Sequence, residues 1–274
     1  MPCNFDILTE VMQKYFFVLL LTFVSCTATK HAAAPIMQPA VVTNGKLFAS
    51  IFQQHAAEYK ALCFQAYNLA RLRLDEQMQP GSKPKAIITD IDETVLDNSP
   101  YAVHQALQGK DYDQNAWYEW TARAEADTVP GAPSFLKYAS SKGVEVFYIT
   151  NRHEKERAVT LKNLQRYNLP NTDNAHLFLR TDASSKESRR QLVMANFEVV
   201  LLLGDNLADF STLFDKKTLE EREQNTRMVA ASFGSRFIVL PNPGYGDWVS
   251  ALYHYDGLTV AQKDSVIRSM VRNY

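Results

Sequence analysis

The apolar positions of this chain switch between two spacings, and the switches mark its elements. From Leu47 to Met78, residues such as Phe48, Ile51, Phe52, Tyr59, Leu62, Cys63, Ala66, Leu69 and Ala70 recur at helical spacing. They predict an amphipathic helix, broken at most once, that stops before Pro80-Gly81. Lys85-Ala-Ile-Ile-Thr89 then reads as a short buried strand. Ser134–Lys142 is helical and closed by Gly143, and Val144–Thr150 is a strand. Glu154–Tyr167 is helical up to Pro170, His176–Leu179 is a short strand, and Lys186–Asn196 is a helix. Val199–Leu203 is an apolar run suited to a parallel strand buried on both faces. Asn206–Phe214 reads as helical, Asp215–Arg227 as a charged stretch, and Phe237–Leu240 as a last strand before Pro241-Asn-Pro-Gly-Tyr-Gly246.

Strands alternating with helices imply an α/β fold, a doubly wound, Rossmann-like parallel sheet covered on both faces. Residues 98–130 interrupt the alternation. They are rich in aromatics (Tyr101, Tyr112, Trp117, Tyr118, Trp120) and directly follow an acidic motif. An insertion there would fold over the strand mouths as a small, mostly helical cap, together with residues from about 45 to 80.

The N-terminal residues follow different rules. Tyr15–Val24 is an apolar run of ten preceded by Lys14, too short for a mature membrane span and matching the core of a secretory signal. Its end, Ser25-Cys26, resembles a bacterial lipobox, with Phe23 where an aliphatic residue is usual. Cleavage would leave Cys26 as a lipidated N-terminus; an ordinary signal peptide is the alternative. Asp6 and Glu10 are unusual ahead of a signal core, so Met12 is the expected initiator. The organisation read from this is a signal over 1–25, an Ala- and Pro-containing tether over 26–44, and one folded domain over 45–274.

Composition narrows the function. The 29 basic and 30 acidic residues nearly cancel among 274 residues, which argues against a nucleic-acid polymer as partner but not against a local anion pocket. Of Cys3, Cys26 and Cys63, only Cys63 would remain as a free thiol, so an exported domain would rely on its core and not on an internal disulfide.

The chemistry lies at the strand ends. Asp90-Ile-Asp92-Glu-Thr94 follows the first strand and Thr150-Asn151-Arg152 closes the second. Lys186 opens a helix after the third, and Gly204-Asp205-Asn-Leu-Ala-Asp209 closes the fourth. In an open parallel sheet these clusters converge on one crevice. Asp90, Asp205 and Asp209 are hard oxygen ligands of the kind Mg²⁺ takes. Asp90 can attack phosphorus, Asp92 can protonate the departing oxygen, and Thr150 and Lys186 can meet the phosphoryl oxygens. Taken singly, Thr150-Asn151 reads as a helix cap and Lys186 as a surface lysine. The combination and its order carry the weight.

These residues resemble the four motifs of the haloacid dehalogenase (HAD) superfamily. Ile88-Thr-Asp-Ile-Asp-Glu-Thr-Val-Leu-Asp-Asn-Ser-Pro-Tyr101 together with Leu203-Gly-Asp-Asn-Leu-Ala-Asp-Phe210 is similar to the paired signature of bacterial class C acid phosphatases, from about residue 45 onward. The resemblance implies a HAD-like fold and an outer-membrane, lipid-anchored phosphomonoesterase, and a homodimer is compatible with it. It implies Asp90 as nucleophile and Asp92 as acid/base. One Mg²⁺ per subunit would be held by Asp90, the Asp92 carbonyl, Asp205 and, through water, Asp209. Thr150, Asn151 and Lys186 would bind phosphate. Trp117 and Tyr245 look equivalent to an aromatic pair that sandwiches a nucleobase, and Tyr101 could line the same pocket. For the tryptophans, packing of cap on body is the competing reading. The expected activity is acid phosphatase or 5′-nucleotidase, against a broad acid phosphatase indifferent to rings and a surface scavenging protein on the same scaffold.

Overall fold

The computed structural model describes residues 40–79 and 81–274. The apolar run at 15–24, the Ser25-Cys26 pair where lipidation is expected, and the expected tether as far as residue 39 lie outside them. Among the described residues no helix is long and apolar enough to cross a membrane.

The amphipathic segment forms two helices, α1 (Val41–His55) and α2 (Ala57–Glu76), parted at Ala56, whose backbone is extended (φ −72°, ψ 127°). Residues 41–44, expected in the tether, are the first turn of α1. Two of that turn's unpaired N–H groups, those of Val41 and Val42, donate to the Asp264 carboxylate at 3.0 and 2.7 Å. The cap lies over 220 residues away in the chain, so local sequence could not show it.

Then follow β1 (Lys85–Thr89), β2 (Leu96–Asp97), α3 (Ser99–Leu107), α4 (Gln114–Ala122), β3 (Asp127–Thr128) and α5 (Ala132–Ser141). After these come β4 (Glu145–His153), α6 (Arg157–Arg166), β5 (Leu177–Arg180), α7 (Glu187–Asn196) and β6 (Glu198–Gly204). The chain closes with α8 (Leu219–Met228), β7 (Phe237–Val239), α9 (Asp247–Leu252) and α10 (Val260–Met270).

Among the described residues the main sheet has five parallel strands in the order β5-β4-β1-β6-β7. Alternation along each strand divides the core in two. Ile87, Val146, Tyr148, Leu201 and Leu203 face one side, with Cys63, Ala70 and Leu74 of α2, Leu136 of α5 and Leu164 of α6. Ala86, Ile88, Phe147, Ile149, Val199 and Leu202 face the other, with Val193 of α7 and Phe210. Both faces are covered, as parallel strands require. Because α2 lies in the sheet's own core, residues 57–76 belong to the body and not to a cap; the apolar stripe that predicted the helix could not say what it would cover.

The insertion rises from a two-stranded antiparallel base, with Leu96 opposite Thr128 and Asp97 opposite Asp127, and carries α3 and α4. Three local expectations change. The helix expected over Asn206–Phe214 is two short 3₁₀ turns, Leu207–Asp209 and Thr212–Phe214. The charged stretch contains α8, entered by a capping box between Thr218 and Glu221. Its one buried residue is Arg222, so no apolar stripe announces it. The chain beyond Gly246 folds as α9 and α10.

Candidate active site

The strand order reverses beside β1: the chain runs from β1 out to β4 and β5, then returns to β6 on the other flank. Ligands of open α/β sheets bind at such a reversal. Thr89 and Leu203 are in register, and the Asp90 N–H donates to the Leu203 carbonyl at 2.9 Å. Asp90 and Gly204-Asp205 therefore leave the sheet side by side, into a cavity of about 590 Å³.

Carboxylate oxygens of Asp90, Asp205 and Asp209 lie within 4.8 Å of one another. The Lys186 ammonium, on the residue capping α7, contacts Asp90 and bonds Asp209 at 2.6 Å. Asp209 reaches this point because it closes a tight turn, its other oxygen accepting from the Asn206 N–H at 3.0 Å. Asp205 is held by Asn242 at 2.7 Å and Thr94 at 3.3 Å.

The electrostatics follow from crowding. Burial, reinforced by the Asp209 and Asp92 carboxylates and opposed by Lys186, pushes Asp90 up to about 7. Burial, with Asp209 and Asp90, drives Asp205 well above the usual carboxylate range. Burial would lower Lys186, but Asp209 and Asp90 hold it above its ordinary value. When ionised, three carboxylates against one ammonium leave two negative charges unmatched. One divalent cation would cancel them, and the all-oxygen donor set suits a hard metal.

Asp92 sits apart from this cluster. Arg152 grips it with Nε at 3.0 and 3.2 Å and Nη2 at 2.7 Å, and Asn98 donates to it at 2.9 Å. The Thr150 hydroxyl lies 3.5 Å from Asp92 and accepts from the Arg152 N–H. Thr150 is fully buried behind Asp92, whereas Asn151 is exposed on the cavity wall. The Asn151 amide oxygen accepts from Arg189 at 2.7 Å, so its NH₂ group is the end available to a ligand oxygen.

The aromatic residues divide. Tyr101 is pinned inside the insertion, its hydroxyl accepting from the Asp113 N–H at 2.9 Å and donating to the Asp113 carbonyl at 3.0 Å. Trp117 meets Tyr101 edge to face at 5.1 Å and donates its indole N–H to Glu156 at 3.0 Å. Trp120 bonds Asn98 at 2.8 Å. Tyr245, from the Pro-Asn-Pro-Gly-Tyr-Gly loop, donates its hydroxyl to Glu93. Trp117, Tyr101 and Tyr245 all line the cavity, as does Tyr112.

Sequence reasoning missed four residues that organise this site. Arg152 stands inside the quoted Thr-Asn-Arg cluster, yet a lone arginine after a strand does not show which acid it will hold. Arg189, on α7, also bonds the Thr150 carbonyl and ties the end of β4 to the segment before Lys186. Glu93 is buried with φ +57°, accepting from the Asn98 N–H at 2.8 Å, and burial with Asp92, Asp205 and Asp97 nearby drives its pKa well up. Asn242 supports Asp205 from the loop after β7.

Comparison with known proteins agrees with this geometry. The family model for HAD superfamily subfamily IIIB (acid phosphatase) matches residues 20–248. The class C acid phosphatase from Bacillus anthracis, a structure also solved with tungstate bound, is 40% identical with a TM-score of 0.82, over 85% of this chain and 99% of that one. Acid phosphatase 1 of Solanum lycopersicum is 27% identical over 166 residues, covering 58% of this chain and 57% of that protein. The chain thus spans little more than half the length of this curated plant relative.

Proposed function

Because the chain belongs to the acid phosphatases of HAD subfamily IIIB, we propose that it hydrolyses phosphomonoesters through an aspartyl-phosphate on Asp90, with Mg²⁺, and favours leaving groups that carry a flat ring. The observation that carries this reading is the convergence of Asp90, Asp205 and Asp209 on Lys186 at the strand reversal.

In this reading a carboxylate oxygen of Asp90 attacks phosphorus while the bond to the ester oxygen breaks, and Asp92 gives that oxygen its proton. Water then attacks the aspartyl-phosphate, Asp92 takes its proton, and phosphate leaves with Asp90 restored. Arg152 and Asn98 hold both oxygens of Asp92 on the cavity side of β1 through these transfers. Lys186 and the Asn151 NH₂ group are placed to meet phosphoryl oxygens, where charge collects in the transition state. The buried Thr150 hydroxyl acts one step back, bracing Asp92 and the turn into Arg152.

Mg²⁺ would be held by the carboxylates of Asp90 and Asp205, the Asp92 carbonyl and, less directly, Asp209, and would supply charge neutralisation and polarisation of a phosphoryl oxygen. The tungstate bound to the Bacillus anthracis relative is a tetrahedral oxyanion, consistent with a phosphate seat in this family.

The ring preference rests on Trp117 and Tyr245 facing one cavity. A broad phosphatase without that preference is favoured instead by the packing of Trp117 on Tyr101 and its bond to Glu156, which account for the indole without a ligand. Phosphate release from a panel of nucleoside, aryl and alkyl phosphates, with Mg²⁺ and with EDTA, tests the whole reading. Chelation should abolish turnover and Mg²⁺ restore it; EDTA-resistant activity would refute the metal assignment. Export and lipid anchoring at Cys26 belong to the same proposal, and labelled palmitate should enter the wild-type protein but not Cys26→Ser.

A further inference from the structure

Charge pairing around the cavity singles out one residue. Five cationic side chains line it: Lys46, Arg152, Arg180, Lys186 and Lys263. Lys46 and Lys263 both hold Asp111, Arg152 holds Asp92, and Lys186 holds Asp90 and Asp209. Arg180 is the exception: among the described residues its guanidinium has no carboxylate and no hydrogen-bond acceptor. It is partly buried. Its N–H donors keep access to solvent in the cavity and have no acceptor among the described residues, so they are available to an acceptor that arrives with a ligand.

The position of Arg180 defines which part of a ligand it could meet. It is the last residue of β5, opposite His153 at the end of β4. β5 lies two strands from β1, about 10 Å across the sheet. Along β4, His153 stands five residues beyond Tyr148, the partner of Thr89. Arg180 is therefore displaced both sideways and outward from Asp90, beyond the seat of the reacting phosphoryl group. Its charge is felt at the Tyr112 hydroxyl, on the cap wall of the same cavity, and at Arg189 behind it. A second cation nearby adds to the positive potential on this flank.

We infer that Arg180 is a specificity determinant that receives a second anionic group, a phosphate or a carboxylate, carried by the leaving alcohol of the phosphomonoester. The inference rests on the phosphatase reading above and adds to it a substrate class: esters with two separated negative groups, one hydrolysed and one held. An arginine suits this role because its planar fork bonds phosphate or carboxylate oxygens in pairs.

The test compares matched substrates on wild type, Arg180→Gln and Arg180→Lys. One series pairs a nucleoside 5′-monophosphate with its 3′,5′-bisphosphate, following release of the 5′-phosphate. The other pairs phenyl phosphate with carboxyphenyl phosphate. Wild type should prefer the doubly anionic member of at least one pair by about tenfold in kcat/KM. Arg180→Gln should erase that preference and Arg180→Lys keep part of it, and the responding series identifies the anion. Hydrolysis of p-nitrophenyl phosphate by wild type tests the underlying reading separately. If that substrate is turned over but neither pair shows a preference, or Arg180→Gln preserves one, or all substrates fall by one factor, the inference is overturned while the phosphatase reading stands.

Discussion

A methyl group on Gly204 would lie 2.5 Å from the Cβ of Asp209, so the two residues approach closer than any side chain at 204 allows. The glycine of the Gly-Asp-x-x-x-Asp motif is there for space: it lets the turn after β6 fold back until Asp209 reaches Lys186. Gly204→Ala must push this turn outward, because the contact reaches the root of Asp209 at its Cβ and not only the carboxylate tip. The expected result is a loss of at least about tenfold in kcat/KM and a cost of about 1–3 kcal/mol in stability. Steady-state kinetics and thermal melting would check both, and full activity in the variant would show that Asp209 need not hold its place.

Asp92 and Arg152 separate the two halves of the proposed cycle. Removing the proton donor should hurt most when the leaving oxygen is a poor one. Asp92→Asn is expected to lower kcat/KM for an alkyl phosphate by about 10²–10⁴ and for p-nitrophenyl phosphate by much less. With p-nitrophenyl phosphate, hydrolysis of the aspartyl-phosphate then becomes slow, so rapid mixing should show a burst of nitrophenol followed by weak turnover. Arg152→Ala should shift both in the same sense, because it leaves Asp92 chemically intact but unguided. Equal losses for the two substrates would remove Asp92 from the acid role.

The residues explain how far sequence could be read. The parallel sheet was legible because its strands are nearly continuous apolar runs, such as Val199–Leu203, and their ends carry acids that a buried strand would otherwise exclude. Asp90, Asp205 and Asp209 are legible for the same reason and Lys186 only through its place in the order of the four clusters, and the four do meet. What stayed hidden is pairing across long chain distances. Nothing near Arg152 says that it will face Asp92, nothing near Asp264 says that it will cap α1, and nothing near Glu93 announces Tyr245. Helix α8 was hidden differently, since it buries little and has no stripe to betray it.

Asp111 offers a test on acid stability. Burial alone would raise its carboxyl, but Lys46 and Lys263 outweigh that and hold it at about 2. Its folded pKa is below the unfolded value of about 3.9, so its contribution is present above pH 4 and fades as pH falls from about 4 to about 2. These contacts join α1 and α10 to the segment between α3 and α4. Asp111→Asn should lower the melting temperature by about 2–4 °C at pH 5–6. The gap from wild type should close towards pH 2. A gap that stayed constant across this range would mean that Asp111 acts through packing and not through charge.

Trp117 and Tyr245 decide whether the cavity recognises rings. Each has a structural role that a substitution could disturb, the indole N–H on Glu156 and the phenol on Glu93. Those roles can be separated from stacking by choosing the replacement. Tyr245→Phe keeps the ring and drops the hydroxyl, whereas Tyr245→Ala removes both. If stacking holds the substrate, Tyr245→Phe should retain the preference for a nucleoside monophosphate over glycerol phosphate, and Tyr245→Ala should reduce that ratio by about 5–100-fold. Trp117→Ala should reduce it further and also lower the melting temperature, because it empties the contact with Tyr101. A ratio unchanged in both alanine variants would show that the aromatics hold the cap in place and leave the choice of ester to other groups in the cavity.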